Sequence, residues 1–146
     1  MNTFSEIDHP ADLALRVFAH TIAGLFKTAL EGMYFLIFNQ KILLSVDCDK
    51  KTTALSFQGQ NHEDLLIDWL SELNYKLEVE KKVAIYCKSL KFKEISGDIA
   101  VNAHLVFKDL NELKLVPVQE IKAVTYHQMD IKKEKTGFST VIVFDV

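Results

Sequence analysis

The spacing of hydrophobic and polar positions changes several times along the chain, and each change marks an element. LALRVFA alternates, with Leu13, Leu15 and Val17 on one side and Ala14, Arg16 and Phe18 on the other, which predicts a strand. From Thr21 the period lengthens. Ile22, Leu25, Phe26, Ala29, Leu30, Met33 and Ile37 recur at helical spacing, so a helix capped by Thr21 is expected through about Phe38. Residues 42–58 return to alternation and predict one or two strands. Asn61 is placed to cap a second helix, HEDLLIDWLSELNYKLE. Leu66, Trp69, Leu70, Leu73 and Leu77 form its apolar stripe, and Asp64, Asp68 and Glu72 stand four apart on another face. Beyond Val83 the pattern is β-rich in VAIYCKSLKFKEI, AVNAHLVF, EIKAVTYHQMDI and FSTVIVFDV, with KKEKTG as a hairpin loop before the last. The whole reads as α+β: antiparallel or mixed β-sheets with two helices packed on them, in a single domain over residues 1–146.

Composition narrows the function classes. With 146 residues, 49% of them hydrophobic and 25% charged, the chain has the make-up of a soluble globular domain able to bury a core. A net charge of −3 gives no basic footprint of the kind that grips nucleic-acid phosphates. Cys48 and Cys87 lie far apart with no CxxC or His-rich neighbourhood, and are expected to be reduced thiols in a cytoplasmic protein. The start MNTFSEIDHPAD has neither the basic nor the apolar region of a signal peptide, and MYFLIF is too short to span a bilayer, so no membrane association is expected.

Candidate chemistry is confined to polar residues near strand ends. No P-loop, GxGxxG, GxSxG or zinc spacing occurs. DHPAD places Asp8, His9 and Asp12 immediately before the first predicted strand. EIKAVTYH carries Glu120, Lys122 and His127. The last strand closes on Asp145 and Val146, where a side-chain acid and a chain-end carboxylate adjoin. Each has an ordinary explanation: an Asp before a strand often satisfies a turn amide, and a strand Lys or His is often solvated. In a regular strand Lys122 and His127 face opposite sides, and Lys122 rather than His127 is expected near the acids.

Taken in order, EIDHPADLALRVFA, EDLLIDWLSELNY, EIKAVTYHQMDI and VIVFDV resemble the archease family from about Ile7 to Val146. The sequence departs from that pattern at Pro10, where the family has Thr, and at Ala23, Gly24 and Asn39, where it has acids. The resemblance implies a small protein cofactor of the RtcB-type RNA ligase of tRNA splicing and RNA repair, not an enzyme itself. It implies that such a protein promotes guanylation of the ligase from GTP and its repeated turnover. RNA and GTP would then be reached only through the ligase. It also implies a divalent cation on Asp12, Asp145 and Val146, calcium first, with magnesium or manganese as alternatives. Oxygen donors of this kind suit all three ions. Asp8, His9, Lys122 and His127 are the corresponding partner-activating candidates. Two other readings stay open: a small metal-dependent phosphoesterase built on Asp8, Asp12 and Asp145, and a general chaperone or interaction module.

Overall fold

The computed structural model describes residues 1–8, 12–42 and 51–146. His9, Pro10, Cys48 and most of the predicted strand before Lys51 lie outside the described residues. The elements run β1 Thr3–Ile7, β2 Leu13–Ala19, α1 Ile22–Phe38, β3 Thr53–Gly59, α2 His62–Glu78, β4 Lys82–Ile95, β5 Asp98–Asp109, α3 Leu110–Leu113, β6 Ala123–Thr125, β7 Lys132–Lys133 and β8 Phe138–Asp145. They form two compact units, residues 1–41 with 117–146, and residues 42–116. The class is α+β, every strand pairing in the described residues is antiparallel, and a short third helix joins the two expected.

The first unit is built on a sheet ordered β1-β2-β8-β6, with β7 also on β8. Its helix begins where Thr21 accepts the Gly24 amide through its hydroxyl, and ends where Asn39 turns left-handed at φ 55 and its N–H returns to the Phe35 carbonyl. Asn accepts that conformation better than most residues, which accounts for a helix stop there. Between these caps Leu25, Phe26, Ala29, Leu30, Met33 and Ile37 are buried as the periodicity requires. Gly32 admits the sheet closely: a Cβ at that position would lie 2.7 Å from Leu15 Cδ1 and 3.1 Å from Phe4 Cγ. The pairs Leu13↔Phe144, Leu15↔Ile142 and Val17↔Thr140 share one sheet face, and Leu15, Val17, Thr140, Ile142 and Phe144 on it are buried. Gly137 is needed for a different reason. The β7–β8 hairpin passes so close to β2 that a Cβ would meet the Ala19 carbonyl oxygen at 2.2 Å.

The second unit is the sheet β3-β5-β4 with α2 against it. Asn61 accepts the Asp64 amide at 2.8 Å, and Leu66, Trp69, Leu70, Leu73 and Leu77 are all buried. The sheet buries Val83, Cys87, Leu90, Val101, Ala103 and Leu105. The edge strand β4 shifts register twice, between Ala84 and Tyr86 and between Cys87 and Ser89. Bulges and the exposed Lys88, Lys91 and Lys93 on that strand discourage edge-to-edge pairing with other chains.

Two sequence expectations need correction in the first unit. TFSEI forms β1 against β2, which alternation did not predict. EIKAVTYHQMDI is not one strand: only Ala123–Thr125 pairs with β8 as β6, and the chain then turns, with the Met129 N–H donating to the Tyr126 carbonyl.

Candidate functional site

The sheet of the first unit gathers the separated motifs at one end. Leu13 pairs with Phe144, so the register carried one residue further sets Asp12 opposite Asp145. On the other side of β8, Ala123 pairs with Asp145, and the Lys122 N–H donates to the Asp145 carbonyl at 2.8 Å. Asp145 is thus flanked by Asp12 on β2's side and by Lys122 on β6's side. Asp8 follows the last β1–β2 pair, Ile7↔Ala14, and opens at the same end. Asp12 and Val146 are half-buried, whereas Asp8, Lys122 and Asp145 are exposed. The buried pair Phe144 and Val124, opposite one another, anchors the strand ends just below these polar groups.

His127 goes elsewhere. It lies past the far end of β6, its N–H donating to the Thr125 hydroxyl at 3.2 Å. The three strand residues of β6 separate it from Lys122, so the two candidates do not meet by strand geometry. Glu120 precedes β6, and its carbonyl accepts the Gln119 side-chain amide at 2.9 Å.

The donor chemistry at this end is that of a hard cation: carboxylate oxygens, with no thiol among the gathered groups. Among the described residues no three His, Cys, Asp or Glu side chains are grouped to hold a metal ion. Asp12 and Asp145 are the two carboxylates that the strand register brings to this end. Lys122 joins this end through its main chain, and its exposed side chain adds a positive charge to the same strand end.

Comparison with other proteins then decides the family. The archease protein family's sequence profile matches residues 4–146. The chain belongs to the archease family. It is 31% identical over 144 residues to the protein archease of Methanosarcina barkeri, covering 98% of this chain and 95% of that one. Against the Methanosarcina mazei archease the figure is 28% over 144 residues, with the same coverage. In fold it is similar to the solution structure of a Methanobacterium thermoautotrophicum protein, with a TM-score of 0.75 at 21% identity and 98% of both chains covered. The crystal structure of a Thermotoga maritima archease, described as a possible chaperone, matches with a TM-score of 0.54 at 16% identity, covering 97% of this chain and 96% of that one. Among the described residues no helix is long and apolar enough to cross a membrane.

The residues that sequence reasoning missed lie on the far side of β6. Arg16, Tyr126, Gln128, Asp130 and Lys132 line a cleft of about 660 Å³ formed where β6 leaves the sheet. No motif announces it, because the departure from the sheet is fixed by pairing with β8 and not by local sequence.

Proposed function

We propose that this archease-family chain is a cytoplasmic protein cofactor of an RtcB-type RNA ligase, promoting guanylation of the ligase from GTP and its repeated turnover in tRNA splicing and RNA repair. It is not itself the ligase. The observation that supports this is the gathering of Asp12, Asp145 and Lys122 at one exposed sheet end. A rim of this kind can enter a partner's nucleotide pocket without carrying a nucleotide loop or nucleophile of its own. There the Lys122 ammonium would bind phosphate oxygens as a point charge. Asp12 and Asp145, with main-chain oxygen from Val146, would hold a divalent cation, calcium first and magnesium or manganese otherwise. Such an ion, when bound, would supply positive charge for phosphate oxygens. Asp8 and His9 border the same rim in sequence, and His127 would contact the partner separately. Phosphoryl and nucleotidyl transfer respond strongly to positioning, so a protein that only orients groups can change the rate by orders of magnitude.

The test is RNA ligation with GTP and manganese, with and without the ligase. Stimulation only in the presence of ligase is the expected result. Turnover by the chain alone would favour a phosphoesterase-like enzyme and overturn the proposal. The Thermotoga maritima relative is described as a possible chaperone, and Val116 and Val118 are 72% and 66% exposed here. An aggregation assay with unrelated clients checks that second reading, which requires protection at stoichiometric amounts.

A further inference from the structure

The cleft beside β6 has a construction of its own. Between Val143 and Ser139 the strand β8 advances four residues, while its partner chain advances seven, from Thr125 to Lys132. The surplus is thrown out as a wide bulge containing Tyr126, Gln128, Met129 and Asp130. Gln128 sits at φ 60, a left-handed conformation that is uncommon for a residue other than glycine, asparagine or aspartate. The bulge is tied down at its base. The Asp130 N–H donates to the Thr140 hydroxyl at 3.4 Å, and that hydroxyl also contacts Met129 Sδ at 3.6 Å. Bulges that redirect side chains, and strained backbone held by its surroundings, concentrate at binding sites.

The lining is chemically specific. The Tyr126 side chain, in a residue 60% exposed, offers a ring at the cleft wall. Arg16 and Lys132 are exposed cations of the same cleft, and among the described residues neither forms an ion pair. Asp130 is an exposed acid of the cleft and likewise forms no ion pair there, whereas the Glu134 carboxylate is occupied by the Ser139 hydroxyl at 2.6 Å. Opposite charges thus line one opening without closing on each other. A ligand that satisfies them carries an anionic group for Arg16 and Lys132, a flat ring for Tyr126, and adjacent N–H donors for the Asp130 carboxylate. Arginine binds phosphate through two parallel N–H bonds, tyrosine stacks on bases, and a carboxylate accepts only from donors. Guanine presents two neighbouring N–H donors on its pairing edge; adenine alternates donor and acceptor there. The cleft volume falls in the range of small-molecule sites.

We infer that the β6–β7 bulge forms a binding site for a guanine nucleotide, held through its base by Tyr126 and Asp130 and through its phosphate by Arg16 and Lys132. This goes beyond the expectation that nucleotide is reached only through the ligase, and it does not rest on that reading. The nucleotide is either free or the guanosine at an RNA end, since both present the same base and phosphate.

The experiment is a titration of the full chain alone, without ligase, followed by amide chemical shifts. The probes are GMP, AMP and a short 5′-phosphorylated RNA beginning with G. Saturable shifts centred on residues 126–132 are expected with GMP or the RNA, with at least about tenfold weaker binding of AMP. Arg16→Ala and Tyr126→Ala, each with unchanged circular dichroism, should weaken binding about tenfold or more. Asp130→Asn should mainly erase the preference for guanine over adenine. Binding of the RNA but not of GMP assigns the site to RNA ends; binding of GMP assigns it to free nucleotide as well. No saturable shift at millimolar GMP and RNA, shifts centred on the Asp12–Asp145 end, or Arg16→Ala binding as tightly as the native chain would each overturn the inference.

Discussion

At the scale of single residues the proposed activity rests on Asp12, Asp145 and Lys122. Asp145→Asn and Asp12→Asn remove charge from a strand end without touching the buried Phe144 or Leu15. Each should change folding stability by less than about 1 kcal/mol, as surface substitutions do, while removing most stimulation of the ligase; thermal melts and a ligation assay on the same preparations check both halves. Lys122→Ala should behave alike, because the hydrogen bond to Asp145 uses its main-chain N–H and survives truncation. A separate residue-level test concerns pH. Lys82 Nζ lies 2.6 Å from Asp109 Oδ1, and their hydrogen bond and attraction hold the Asp109 carboxyl below, and the Lys82 ammonium above, their ordinary ranges. The carboxylate's contribution to stability is present above its unfolded pKa, about 3.9, and is lost as pH falls through the lowered folded value. The lysine's contribution is present below its unfolded pKa and is lost as pH rises through the raised folded value. Nuclear magnetic resonance titration should therefore show Asp109 ionising below about pH 3.9, returning toward that value in Lys82→Ala. The individual polar residues were legible in the sequence as motif members. Their meeting was not, because register between Leu13 and Phe144 joins positions more than a hundred residues apart.

At the scale of elements, the helices were legible and the short strands were not. Thr21 and Asn61 each place a side-chain oxygen on an amide three residues on, and the apolar stripes follow at helical spacing, so local chemistry and packing agree. Trp69→Ala should cost about 3–5 kcal/mol, since it empties the largest fully buried side chain against the second sheet; chemical denaturation measures it. At the end of α1, Asn39→Val should cost about 1–2 kcal/mol by forcing a β-branched residue into the left-handed region, whereas Asn39→Gly should be tolerated. β1 escaped notice because TFSEI is half exposed and owes its extension to pairing with β2. EIKAVTYHQMDI looked continuous because its β-favouring residues are, yet β8 accepts only three of them before the chain bulges outward. Propensity states what a segment tolerates; the partner strand decides where pairing stops.

At the scale of the whole molecule, two α+β units are drawn from one chain whose ends both belong to the first. The α+β class followed from two helical periods set among alternating segments, but the strand order β1-β2-β8-β6 is a long-range outcome that no local pattern carries. That order makes the candidate site, since it is β8 that lies between β2 and β6 and brings Asp145 between Asp12 and Lys122. The central claim is that this sheet end assists guanylation of a partner ligase. Its most direct measurement is the yield of covalently guanylated ligase from GTP and manganese, using ligase alone, ligase with the native chain, and ligase with a folded Asp12→Asn/Asp145→Asn chain. A marked rise with the native chain that disappears with the double variant is the predicted result; an equal rise with both, or none with either, would contradict the account.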